Sequence, residues 1–211
     1  MRSIIVWFED GMAAFEALSS SDPEHESIRN DDGETVTLPS ELLYGRRMVE
    51  WLARLRPDAP APLVLAVKAQ HLCRWKLPRA SYPEGLVGYK AWRRAEMAAH
   101  AELAADTLRA VAAPVEVVGR VAELIQKKRF KLDEDAQSLE DAACLVFLVH
   151  HWPAFAASRP DEALVPILAK TWMKMSEAGH AFAFGLALDD RTQKLLAVAL
   201  ASPTAEPERY S

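Results

Sequence analysis

The 211-residue chain is 50% hydrophobic and 26% charged, long enough for one well-buried core and too apolar for a disordered chain. Its net charge of −5 argues against general binding of a nucleic-acid polymer. Both cysteines, Cys73 and Cys144, sit in apolar runs and read as inert core thiols, not as a secreted disulfide framework.

The first apolar stretch, Ile4 to Phe8, is interrupted by Glu9 and Asp10. It is too short for a signal-peptide core, and no later segment offers the ~20 charge-free residues of a membrane span. A cytoplasmic protein with no membrane partner is therefore expected. Residues 1–8 are also the only stretch with any period-two character. Gly11 to Leu18 reads as a short helix docking through Met12, Phe15 and Leu18, and the polar, turn-rich residues 19–37 read as a loop.

Pro39 opens a helix whose apolar stripe is Leu42, Leu43, Met48, Val49, Leu52 and Leu55, closed by Pro57. Leu63 to Trp75 is apolar nearly all round, the pattern of a helix at the centre of a bundle. Residues 76–88, with two prolines and two glycines, cannot be regular helix. Helix resumes from Tyr89 to about Ala112, with Met97, His100, Ala104, Leu108 and Val111 on one side. Pro114 starts a further helix over Val117, Val118, Val121, Leu124 and Ile125. Asp133 to Ala136 starts another, with acids favouring its dipole, and Pro153 kinks or ends it. The chain is helical again from Asp161 past Trp172 and over Thr192 to Ala201. The predicted class is all-α, a single-domain helical bundle. Residues 1–38 form an N-terminal helix and polar loop, 39–201 the helical domain, and 202–211 a disordered tail.

Polar residues on apolar helix faces are the candidates for chemistry. His71 shares a face with Val64, Val67 and Trp75, and His100 sits on the apolar stripe of the next helix. Glu140 and Asp141 precede the run Ala142 to Val149, so one of them points toward the core side. Two histidines and a carboxylate on three helices can hold a divalent metal ion with open positions. Structural hydrogen bonding explains the same residues.

Charge is unevenly distributed. Between Lys68 and Arg94 lie Lys68, His71, Arg74, Lys76, Arg79, Lys90, Arg93 and Arg94 against the single acid Glu84, and Lys127-Lys128-Arg129-Phe130-Lys131 forms a second basic run. Arg74, Arg79 and Arg93 offer planar forks to phosphate or carboxylate, and Lys127 and Lys128 add charge. Trp75, Tyr82, Tyr89 and Trp92 interleave with them and could stack on a base or ring. A small anionic partner follows. For each residue singly, a solvated side chain is the competing reading.

The chain resembles a family of bacterial and fungal proteins catalogued as domain of unknown function 4202, over about Phe15 to Gly185. The resemblance rests on Glu41-Leu42-Leu43-Tyr44, Ala69 to Trp75, Pro78-Arg79, Ser81-Tyr82-Pro83, Gly88-Tyr89, Trp92-Arg93, His100, Leu139-Glu140-Asp141, Phe147-Leu148 and Lys170 to Ser176. More distantly it is similar to the HD superfamily of helical metal-dependent phosphohydrolases. That similarity sets His71 at the paired His, His100 at an additional His and Asp141 at the final Asp. Tyr44 stands where the first His would be, and Leu72 replaces the paired Asp. The likeness implies an HD-like, metal-assisted phosphohydrolase-like protein acting on a small phosphorylated metabolite or nucleotide, with His71, His100 and Asp141 holding a divalent metal and its water. The alternatives are a non-catalytic module binding an anionic metabolite or nucleotide, and an interaction protein docking an acidic partner.

Overall fold

The computed structural model describes residues 4–30, 32–127 and 132–201. The expected tail, 202–211, and the candidate ligand residue Lys128 lie outside the described residues. The class is all-α and single-domain, with one small two-stranded sheet. Within it the chain packs as two compact units, Met1–Leu139 and Glu140–Ser211.

The first unit opens with α1 (Ile4–Ser19). The Ile-Ile-Val start is helical despite its β-branched residues, because Trp7, Gly11 and Phe15 recur every four residues on one buried face. Gly11 permits a close approach to α4 (Gly85–Ala110): a Cβ there would meet Leu108 Cδ2 at 2.9 Å.

Residues expected as plain loop contain an antiparallel hairpin, β1 (His25–Arg29) and β2 (Thr35–Pro39), with Ile28 opposite Val36. Asn30 closes its turn, its Oδ1 accepting from the Glu34 backbone N–H at 2.7 Å, and Gly33 supplies φ +79. Its strands are mostly polar and half exposed, so polar composition hid them. Arg47 holds β1 to α2 (Ser40–Leu55) through a bidentate pair with Glu26 at 2.7 and 2.9 Å.

Helix α2 starts just after Pro39 and buries Leu42, Leu43, Met48 and Leu52 at helical spacing. Pro60 precedes α3 (Ala61–Ala69), in which Leu63, Leu65, Ala66, Val67 and Ala69 are fully covered. That is the central helix its all-round apolarity predicts, but shorter: the chain leaves helical geometry after Ala69, so His71 lies in a turn. Helix α4 begins four residues earlier than expected, at Gly85 with φ +81. It packs along α5 (Val115–Ile125), which also lies against α3. Arg120, midway along α5, pairs bidentately with Asp133 at 2.6 and 2.7 Å and also reaches Asp135.

Helix α6 (Glu134–Val146) runs into a π-helical turn, Phe147–His151, and then α7 (Trp152–Ala157). Pro153 explains the wide turn, since its ring and missing N–H do not fit a continuous α-helix. In the second unit, α8 (Asp161–Lys174) packs on α10 (Asp190–Ala201), with α9 (Glu177–Phe184) between them in sequence. Trp152 is buried and donates through Nε1 to Thr192 Oγ1 at 2.8 Å. Among the described residues no helix is long and apolar enough to cross a membrane.

Candidate functional site

After Ala69 the chain reverses through Gln70–Cys73, with Cys73 in the left-handed region at φ 57, and enters a short 3₁₀ turn, Arg74–Lys76. A non-glycine residue in that region is uncommon and costs free energy unless its surroundings hold it. The reversal lays His71, the Leu72 carbonyl and Arg74 over one face of α4. On that helix Tyr89, the adjacent pair Trp92-Arg93, Glu96 and His100 recur at helical spacing, so they share one stripe.

A hydrogen bond and an ion pair fasten turn to helix. His100 Nδ1 lies 2.9 Å from the Leu72 carbonyl oxygen, and Arg74 Nε lies 2.9 Å from Glu96 Oε1. Arg93 donates to the other Glu96 oxygen at 2.9 Å. Glu96 has no exposed surface, and the two arginines that compensate it are about one-third and one-quarter exposed. Trp92 anchors the far side through Nε1 to the Leu77 carbonyl at 2.9 Å. Its ring has three guanidinium carbons around it, those of Arg74 at 5.2, Arg93 at 5.9 and Arg79 at 6.0 Å. Tyr89, exposed, stands 5.9 Å from the same ring.

Arg79 also binds its own loop, donating to the Tyr82 and Pro83 carbonyls at 2.9 and 2.8 Å. Gly88 lets that loop lie on α4: a Cβ there would meet Pro83 O at 1.9 Å.

The His71 ring stacks on Tyr44 at 4.2 Å and lies 6.1 Å from the His100 ring. Tyr44 donates to Gln70 Oε1 at 3.3 Å. Burial is the main cause that holds both imidazoles neutral. His71 is pushed well below its ordinary value, with the charges of Arg74, Arg93 and Lys127 adding to burial. His100 is pushed down to about 4, its bond to Leu72 opposing the shift. Lys127, at φ 55 just after α5, thus acts on His71 through its charge. Glu41, at the head of α2, is raised to about 8 by burial, partly offset by Arg74. Among the described residues, no group of three or more His, Cys, Asp or Glu is placed to hold a metal ion.

Asp141 belongs to the second unit, where it organises the start of α9. Its Oδ1 accepts from the Ser176 backbone N–H at 2.8 Å and its Oδ2 from the Ser176 hydroxyl. Ser176 Oγ in turn caps the helix by accepting from the Gly179 N–H at 3.1 Å. Glu140 forms an ion pair with Lys174 at 3.4 Å.

Sequence reasoning thus reached most of the first-unit cluster and missed Glu96 and the charge state of Glu41. Glu96 had a signal: it stands three residues after Arg93 and four before His100. Glu41 had none, because its burial depends on packing.

Fold and site together define a helical protein whose first unit carries a half-buried cluster of arginines, aromatic rings and neutral imidazoles. The chain belongs to the family described as Domain of unknown function (DUF4202), whose sequence model matches residues 9–196. No curated protein and no solved structure matches it.

Proposed function

We propose that the protein binds a small phosphorylated metabolite or nucleotide at the Arg74–Arg79–Arg93 cluster. The observation that carries this reading is the convergence of three guanidinium groups on the Trp92 ring, with the carboxylate of Glu96 ion-paired to two of them. Like charges repel, so such a gathering costs free energy unless anions compensate it. Arg79 and the partly exposed ends of Arg74 and Arg93 leave positive charge for a ligand. Each charge-assisted bond to an anion contributes ~1.5–3 kcal/mol, and Tyr89 offers an exposed ring beside the cluster for a base or sugar.

A thermal-shift and calorimetry screen of nucleotides, sugar phosphates and acidic metabolites tests it, with wild type, Arg79→Ala and Arg93→Ala in parallel. Stabilisation by an anion that survives both substitutions rules this site out. Complete absence of hits favours an interaction protein that docks an acidic partner.

HD-like, metal-assisted hydrolysis is the competing reading. His71 and His100 are chemically competent nitrogen donors, yet among the described residues they are not joined by the further ligand a divalent ion needs. Metal analysis of protein purified without chelator decides between the two readings: a stoichiometric divalent ion, lost with His71→Ala, favours the hydrolase.

A further inference from the structure

His100 is 3% exposed, and its two ring nitrogens differ in kind. The Leu72 carbonyl oxygen only accepts, so Nδ1, at 2.9 Å from it, carries the ring proton. A neutral imidazole has one N–H, which leaves Nε2 as a lone pair. That atom is buried and has no hydrogen-bond partner among the described residues. Buried polar atoms without partners are rare and costly. Phosphate oxygens held by Arg74 and Arg93 would not satisfy it, because a lone pair facing a lone pair repels.

We propose that the ligand of this site carries a hydrogen-bond donor, a hydroxyl or an amine, beside its anionic group, and that His100 Nε2 accepts from it. The inference rests on the anion-site reading above. It narrows the ligand class to phosphorylated sugars, polyols, amines or nucleosides and makes His100 a specificity-determining residue. The placement supports it: His100 stands one helical turn along α4 from Glu96, whose carboxylate positions the two arginines. Burial and the charges of Arg74 and Arg93 keep the ring in its neutral, accepting form.

A matched pair of probes tests the proposal. Glycerol 3-phosphate and n-propyl phosphate are similar in size and charge and differ in their hydroxyls. Wild type is expected to prefer glycerol 3-phosphate by about tenfold, the scale of one net hydrogen bond. His100→Asn can keep a donor toward the Leu72 carbonyl but has nothing at the position of Nε2. It should bind both probes as wild type binds propyl phosphate, a preference within about twofold. His100→Gln, which reaches the Nε2 position, should restore part of the preference. In protein with ¹⁵N-labelled histidine, the Nε2 resonance of His100 should move with glycerol 3-phosphate and stay with propyl phosphate. Melting temperature and circular dichroism confirm that each variant is folded. If the probes bind equally to wild type, or the preference survives His100→Asn, the proposal fails while anion binding stands. If neither probe nor inorganic phosphate binds, the anion-site reading fails and this inference falls with it. Capture of Nε2 by zinc or manganese at stoichiometric concentration also overturns it.

Discussion

Arg74 Nε and Glu96 Oε1 lie 2.9 Å apart, and through this pair the turn after α3 is held against α4 by a carboxylate with no exposed surface. A buried charge is tolerated only with partners, so Glu96 depends on Arg74 and Arg93 together.

Arg93→Ala should therefore do two things. It should lower stability by ~1–3 kcal/mol in denaturant unfolding, because the carboxylate loses one of two charged partners. It should also weaken phosphate-ester binding about tenfold. A loop or helix-start arginine would ordinarily contribute little to the core, and Arg79→Ala should move the melting temperature less. A wild-type melting temperature for Arg93→Ala would show that Arg74 alone compensates Glu96.

The depressed His100 predicts a loss of stability in mild acid. Its folded value of about 4 lies below the ordinary 6.5, so the unfolded chain takes up the proton first. Its contribution is complete above pH ~6.5 and is lost as pH falls toward ~4. His71 acts in the same direction. Urea unfolding across this window should show a slope that His100→Asn flattens; an unchanged slope contradicts the assignment.

Glu41 works in the opposite sense. Raised from 4.5 to about 8 by burial, it holds its proton in the folded state after the unfolded chain has released it. Stability linked to Glu41 is greatest below pH ~4.5 and falls as pH rises toward ~8. Glu41→Gln should remove that decline and be relatively most stabilising near pH 8. If both proteins lose stability in parallel between pH 5 and 8, Glu41 is ionised in the folded protein.

Asp141→Asn tests the second unit. With the charge gone, the Ser176 N–H and O–H lose a charge-assisted acceptor, and stability should fall by ~1–3 kcal/mol by calorimetry. Gly179→Ala should reproduce the loss, since a Cβ there would meet Asp141 Oδ1 at 2.8 Å. If Asp141 holds a metal, Asp141→Asn will instead lower bound metal in protein purified without chelator.

Gly88→Ala probes the basic loop. The 1.9 Å approach to Pro83 O cannot survive a Cβ, so the loop must move off α4. Phosphate-ester affinity should drop at least as far as in Arg79→Ala, with the helical circular dichroism signal retained. Unchanged affinity would show that the loop is not part of the site.

How legible these features were depended on where the determining force lies. Helix α5 announces itself because Val117, Val118, Val121, Leu124 and Ile125 make one apolar face, and all five are buried. The hairpin was hidden because His-Glu-Ser-Ile-Arg buries little, and backbone pairing with Thr35–Pro39 defines it. The end of α3 was hidden too. No Gly or Pro marks it, and Cys73 takes the left-handed conformation although it is not a glycine. His71 and His100 were legible as polar residues on apolar stretches, and their rings do lie together. The two-nitrogen asymmetry of His100 was not, since it depends on a carbonyl 28 residues away in sequence.

One contact in the first unit governs how this protein can be trimmed. Lys68 is almost wholly buried in α3, and Glu16 of α1 reaches its ammonium at 2.7 Å. A truncated chain starting at the hairpin would lose that ion pair and the buried Trp7 and Phe15, and would expose to water the apolar surface of α2, α3 and α4 that α1 covers. Boundaries for expression, crystallisation or fusion should therefore keep α1. A protease cut in the polar stretch after Ser19 should leave the severed helix bound to the remainder, visible as two bands on a denaturing gel and one species by size exclusion.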